Sequence, residues 1–402
     1  MISVSQAIQI VREQTRLLPT EPVALQYAPG RILAEDIVAD SDLPPFDRAQ
    51  MDGYAVRADE VANTPARLRI VGESAAGAGW HHQMKAGEAV RIMTGAPVPA
   101  GADAVQQVEL TREVDRNAIV EILERVDAGR SIVRQAAEIK AGETVLRAGE
   151  DINAAMIATL ASFGYAEVKV GQRPRVAVMA TGSELVDVDK KPARDQIRDS
   201  NNYTIAAYAT LAGAMVERLP LAGDDTEELK RQIAAAAGRS DVLITSGGVS
   251  MGVYDFTKAA LKELGAEIFF ERVALRPGKP TVFARLGNTL VFGLPGNPVS
   301  VAVTFNLLTR AALRVIQGAK QTQLAEETAV LARDLKGSLD RESYLPAILR
   351  TDDNGTLLAE PLKWGGSSDF VAFARATALI NVPAGVKTVE KDQHVRVTRL
   401  PG

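Results

Sequence analysis

The stretch "DVLITSGGVSMGVYDFTKAALKELG" (241–265) decides how the chain folds. "DVLIT" is a short apolar run of the buried-strand type. "DFTKAALKELG" has helical spacing and ends on glycine. Glycines and serines fill the gap. Strand, tight loop and helix make half of a βαβ unit.

The same alternation continues on both sides. "RVAVMA" (175–180) reads as a strand, "DSNNYTIAAYATLAG" (199–213) as a helix and "MVERLPLA" (215–222) as a strand. "DDTEELKRQIAAAAG" (224–238) reads as a helix, with Asp225 and Glu228 placed as an acidic capping box. Two strands, "EIFFERVAL" (267–275) and "TLVFGL" (289–294), precede one long helix, "NPVSVAVTFNLLTRAALRVIQG" (297–318). Alternating strands and helices predict a doubly wound α/β domain with a mainly parallel sheet over 172–319.

The flanks have a different texture. Ser3 and Gln6 form a capping box for a first helix, and "RILAEDIVA" (31–39) reads as a strand. Short apolar runs broken by turns predict a small β-rich domain over 45–134. "KAGE" occurs at 85–88 and at 140–143, which reads as two similar turns rather than a repeat. "DINAAMIATLASFG" (151–164) reads as a helix capped by Asp151 and ended by Gly164. In the tail, "AILRTDDNGTLLAEPL" (347–362) reads as a hairpin turning at Asn354-Gly355.

Bulk composition excludes several classes. The 402 residues carry a formal net charge of -4, so no long-range field favours nucleic acid. There are no cysteines, which excludes disulfides, thiolate metal sites and cysteine nucleophiles. "MISVSQAIQIVREQTRLL" lacks the features of a signal peptide, and no run reaches the length of a membrane span. The expected setting is cytoplasmic, with no membrane partner.

In open α/β sheets ligands bind at the carboxyl ends of strands. Four loops there are candidates. Thr181, Gly182 and Ser183 offer hydroxyls and close backbone approach to an anion, with Glu184 as a metal-bridging carboxylate. The competing reading is a capped turn with a solvent-facing glutamate. Ser246, Gly247, Gly248 and Ser250 form a phosphate-cradle type of loop. Asp255 follows it, and an ordinary helix cap explains that aspartate equally well. Arg276 and Lys279 flank a Pro-Gly turn, suited to a multiply charged anion or to a solvated surface. Pro295, Gly296 and Asn297 lead into a helix, as a ligand loop or simply a good helix start. No phosphate-loop lysine motif and no GxGxxG are present, so an ordinary ATPase or dehydrogenase is not indicated. His81, His82 and His394 lack metal-ligand spacing, so any metal would be oxygen-held, which favours Mg²⁺.

"PPFDRAQMDGYAV" (44–56), "RIMTGAPVPAGADAV" (91–105), "TGSEL" (181–185), "SGGVSMGVYDF" (246–256), "RPGKP" (276–280) and "GLPGNPVSV" (293–301) occur in this order. Together they resemble the molybdopterin molybdenumtransferase family, whose eukaryotic relative is the E domain of gephyrin. The resemblance implies an elongated, dimeric, multidomain α/β subunit. It would have a split linker domain (1–44 and 135–171), the small β-rich domain (45–134), a molybdopterin-binding α/β domain (172–319) and a C-terminal β-barrel (320–402). It also implies insertion of molybdate into adenylylated molybdopterin, with release of AMP and with a divalent cation, Mg²⁺.

By the same resemblance Asp52, Thr94, Glu184, Asp224 and Asp255 are catalytic positions. Glu184, Asp224 and Asp255 are the metal ligands, and Ser367 of "WGGSSDF" (364–370) is a substrate contact. Relatives often carry lysine at Arg276 and aspartate at Ser183. Pro346 stands near where they have an arginine, which either Arg341 or Arg350 would replace. Expected partners are adenylylated molybdopterin, molybdate, a second copy of the chain and the molybdopterin adenylyltransferase. A molybdopterin adenylyltransferase and a non-catalytic molybdopterin-binding scaffold are the alternatives. Asp52 lies outside the α/β domain, so it is expected to reach the site from the other subunit.

Overall fold

The computed structural model describes residues 1–222, 226–247 and 256–401. They fall into two compact units. One comprises Met1–Glu35, Ala148–Ala154 and the chain from Glu167 onward; the other comprises Asp36–Arg147 and Ala155–Ala166.

The first unit is built on a six-stranded sheet. Its order is Met215–Arg218, Arg175–Ala180, Val242–Ser246, Thr289–Leu294, Val282–Leu286, Glu267–Phe270. The first four strands run parallel, and the last two add antiparallel pairings. Side chains alternate across the sheet, and both faces are apolar. Val176, Val178, Val242, Ile244 and Phe292 pack on one face against the helices Asn201–Leu211 and 298–316. Ala177, Met179, Leu243 and Val291 pack on the other against Leu229 and Ile233 of Thr226–Ala237 and Leu261 of Phe256–Glu263. Both faces are covered, as a buried parallel sheet requires.

The register of the parallel strands matters most for function. Ala180 pairs with Ser246, and Ser246 with Leu294. Three strands therefore end level, and the loops after them emerge side by side.

The N-terminal helix Val4–Gln14 carries the expected capping box between Ser3 and Gln6. It joins the first core through Val4, Ala7 and Val11. The long helix is interrupted: Pro298–Thr304 and Arg310–Ile316 flank a π-helical turn at Phe305–Thr309. Thr304 and Asn306 bond back to the carbonyls of Ser300 and Ala302 there. Pro298–Ile316 is long and apolar enough to cross a membrane, but 89% of its most apolar window is buried inside the protein. It is a core helix.

The C-terminal strands close on themselves. Glu342–Thr351, Leu357–Pro361, Glu326–Leu331, His394–Arg399 and Ala378–Val382 pair in sequence, and the last pairs back to the first. Closure leaves no free edge and encloses Leu345, Ala347, Ile380, Val382 and Val397. The hairpin turns at Asn354-Gly355, with Gly355 at φ 82°.

Two local readings need correction. Asp151 does not cap the helix, which begins at Ala154. It pairs instead with the buried Arg314 at 2.5 Å. The run at 31–39 is not one strand. Ile32 and Leu33 make single bridges, and only Ile37–Val38 forms a ladder, with Thr144–Leu146. The chain passes from one unit to the other at Glu35–Asp36, which breaks the strand.

The second unit holds a six-stranded sheet in the order Ala104–Gln107, Gly53–Val56, Glu88–Ile92, Ala66–Ser74, Ile119–Ile122, Thr111–Val114. Tyr54 and Val56 face one core, and Ala55, Val90 and Ile92 the other. The two "KAGE" segments form the same turn. In each, the glutamate carboxylate accepts from the lysine N–H, at 2.9 and 3.5 Å, and the glycine has positive φ.

Candidate active site

The level strand ends of the first unit form the floor of a cleft of about 2010 Å³. The Thr181 N–H donates to Ser246 O at 2.9 Å, and the Gly247 N–H to Leu294 O at 3.2 Å, so the three loops start in contact. Gly247 sits at φ 91°, and a Cβ there would lie 2.4 Å from Thr181 O. Only glycine allows that approach.

Asn201 ties the floor together. Its Nδ2 donates to Ser246 Oγ at 2.8 Å and to Gly296 O at 2.7 Å. The Ser246 hydroxyl is also within 3.3 Å of Pro295 O. Ser246 is thus buried in the scaffold of the cleft as well as lining it. Removing the Asn201 amide leaves the buried Ser246 hydroxyl with Pro295 O alone and frees Gly296 O, which is exposed. N201A should lose about 1 kcal/mol of stability by urea unfolding, and substrate affinity with it.

The walls come from other loops. Gly278 of the "RPGKP" turn has φ 126°, and a Cβ would meet Thr304 Cγ2 at 2.5 Å. That tight turn presents both Arg276 and Lys279 to the cleft. Arg276 also donates to Gly337 O at 2.9 Å. Asn297 starts the helix Pro298–Thr304, but its side chain does not cap it. Its Nδ2 donates instead to Ser367 Oγ at 2.8 Å, and the Val299 N–H donates to Ser367 O. The last-domain loop is thereby fastened to the helix start. Asp369 anchors that loop by accepting from the N–H groups of Gly365 and Ala372, which hold its carboxyl below the usual range.

One cleft therefore collects Thr181, Gly182, Ser183, Glu184, Ser246, Gly247, Arg276, Lys279, Pro295, Gly296, Asn297 and Ser367. Arg341 lines it too, whereas Arg350 pairs with Glu360 at 3.3 Å on the barrel. Gly248, Ser250, Asp224, Asp225 and Asp255 lie outside the described residues. Among the described residues no three carboxylates or imidazoles converge as a metal site. Glu184 is exposed in the cleft, and its hard oxygen donors suit Mg²⁺.

Asp52 and Thr94 lie in the second unit and meet there. Asp52 Oδ1 accepts from both the N–H and the hydroxyl of Thr94, each at 2.7 Å. Those bonds, the backbone one first, hold the Asp52 carboxyl below the usual range. The pairing of Gly53 with Ile92 places the two residues side by side. A Cβ at Gly53 would lie 1.9 Å from Gln106 O, so glycine is required next to Asp52. Asp47 has a different task. It accepts from Arg134 at 2.6 Å and from the Gln135 N–H at 2.8 Å, tying the loop down.

Three family patterns cover the chain. The "MoeA N-terminal region (domain I and II)" matches residues 2–164, the "probable molybdopterin binding domain" 177–315, and the "MoeA C-terminal region (domain IV)" 328–400. The molybdopterin molybdenumtransferase of Bacillus subtilis is 36% identical over 98% of this chain and 93% of its own. The chain belongs to the molybdopterin molybdenumtransferase family. The family member from Haemophilus influenzae is 35% identical over 98% of this chain and its full length. A crystal structure of the molybdopterin biosynthesis MoeA protein from Pyrococcus horikoshii superposes over the whole of both chains with a TM-score of 0.82 at 31% identity. A crystal structure of a molybdopterin biosynthesis MoeA protein from Pyrococcus horikoshii OT3 gives 0.86 at 26% identity, again over the whole of both chains.

Sequence reading missed several residues of the cleft of this molybdenumtransferase family member. Asn201 and Asp199 belong to a segment read only as a helix. Asp199 is 3% exposed, and burial pushes its carboxyl up. The polar run "DSNN" at a helix start was the available signal. Tyr203 and Trp364 also line the cleft.

Proposed function

We propose that this chain is a molybdopterin molybdenumtransferase that inserts molybdate into adenylylated molybdopterin and releases AMP. The observation that carries the reading is the single cleft in which glycine-cradled strand ends face Arg276, Lys279 and Arg341. Phosphates and an oxyanion need that combination of close backbone N–H groups and cations. The family membership of the whole chain argues against an adenylyltransferase.

The loops at Thr181–Ser183, Ser246–Gly247 and Pro295–Asn297 hold the phosphate groups. Arg276, Lys279 and Arg341 offset the negative charge that builds as the phosphoanhydride breaks. Ser367, held by Asn297, closes the cleft from the last domain. Glu184, with Asp224 and Asp255, would hold Mg²⁺, which supplies charge neutralisation on the phosphoryl oxygens. Asp52, fixed by Thr94, orients the nucleophile from the other subunit of a homodimer. The four domains keep the boundaries given above. The setting is cytoplasmic, and the molybdopterin adenylyltransferase supplies the substrate by contact.

Expression in a strain lacking its own molybdenumtransferase tests this reading. Restored molybdoenzyme activity is expected. Soluble expression without restoration would favour a molybdopterin-binding scaffold.

A further inference from the structure

Tyr203 lies in the first turn of the helix Asn201–Leu211 and lines the cleft. The residue is 39% exposed. The guanidinium of Arg218 sits 3.8 Å from the ring centroid. The Arg218 charge in turn acts on the buried carboxylate of Asp199, which also lines the cleft. The guanidinium lying over one face of the ring fixes the orientation of Tyr203. One aromatic face is taken by Arg218, so the surface left to the cleft is the other face and its edge.

The rest of that wall mixes polar side chains, Gln196, Arg198 and Thr204 among them, with apolar ones. Val188 and Ile197 line it and are exposed. One cation, Arg198, lines the cleft next to Ile197, and Arg276, Lys279 and Arg341 come from other loops. Exposed aromatic and aliphatic side chains in a concave site mark a place where a ligand covers them.

We propose that Tyr203 is a stacking platform for a flat heteroaromatic ring of the substrate, with the anionic part directed to the cations. The inference rests on the substrate proposed above, which carries such a ring at each end, an adenine and a pterin. A pre-oriented ring accepts either one, because both present a π-face. The hydroxyl of Tyr203 is not needed for stacking.

The test measures dissociation constants for AMP and, separately, for molybdopterin, with the full-length wild type, Y203F, Y203L and Y203A. Y203A and Y203L should each weaken at least one ligand about tenfold, a loss typical of one stacked base. Y203F should stay within about twofold. Loss confined to AMP assigns the platform to adenine; loss confined to molybdopterin assigns it to the pterin. Wild-type affinity for both ligands in folded Y203L or Y203A overturns the proposal. Tyr203-dependent binding without turnover by the wild type would keep the platform and reject the transferase reading. Turnover with Tyr203-independent binding would do the reverse.

Discussion

Gly247→Ala should lower molybdate-dependent AMP release about a hundredfold or more, while the protein stays folded. Two independent effects meet at this position. A φ of 91° is strained for alanine, at roughly 1–2 kcal/mol. The added Cβ would lie 2.4 Å from Thr181 O, a backbone atom just past the strand end at Ala180. The strand ends after Ala180 and Ser246 must therefore part. A displacement of about 1 Å at a positioned site typically costs about 10²-fold in rate. Comparison with N201A separates the causes. Asn201 joins the Ser246 and Gly296 loops by side-chain bonds alone, and its loss should cost less. Turnover of G247A within a few-fold of wild type would show that the level strand ends do not hold the reacting groups.

Asp52→Asn should be nearly as damaging, for a different reason. An asparagine Oδ1 can still accept from the Thr94 N–H and hydroxyl, so the geometry survives. The negative charge does not. A carboxylate that orients or deprotonates a nucleophile contributes typically 10²–10⁴-fold, so a loss of about a hundredfold is expected. The pH dependence carries a sign. Thr94 lowers the folded pKa of Asp52. Its contribution is therefore fully present above the ordinary carboxylate value of about 3.9 and is lost only as the pH falls through the lower folded value. D52N should reduce the rate evenly above about pH 5 and leave the profile's shape unchanged. A change in the acid limb between about pH 5 and 7 would mean that Asp52 titrates there and that its environment is misread.

Most of the α/β layer could be read from its own residues, because its central strands Arg175–Ala180, Val242–Ser246 and Thr289–Leu294 are short apolar runs, whereas the strand Val282–Leu286 was not read. The fold's functional consequence could not. Register places Ala180, Ser246 and Leu294 level, and no single strand encodes that alignment. The four loops were found because glycine beside serine or a cation is unusual in a mere connection. Asn201 escaped because its role lies in two contacts distant in sequence, at Ser246 and Gly296. The roles of Asp52 and Thr94 came only from resemblance, yet their mutual bond follows from one strand pairing, Gly53 with Ile92. Asp151 was misread as a helix cap, and Asn297, at a helix start, does not cap it with its side chain. Each is drawn to a tertiary partner, Arg314 and Ser367, that local pattern cannot reveal.

The most direct measurement is AMP release by the purified protein, given adenylylated molybdopterin and Mg²⁺, before and after adding molybdate. AMP should appear with molybdate and fall sharply in G247A and D52N. AMP release that neither molybdate nor either substitution alters would contradict the assignment of this cleft and of the transferase reaction.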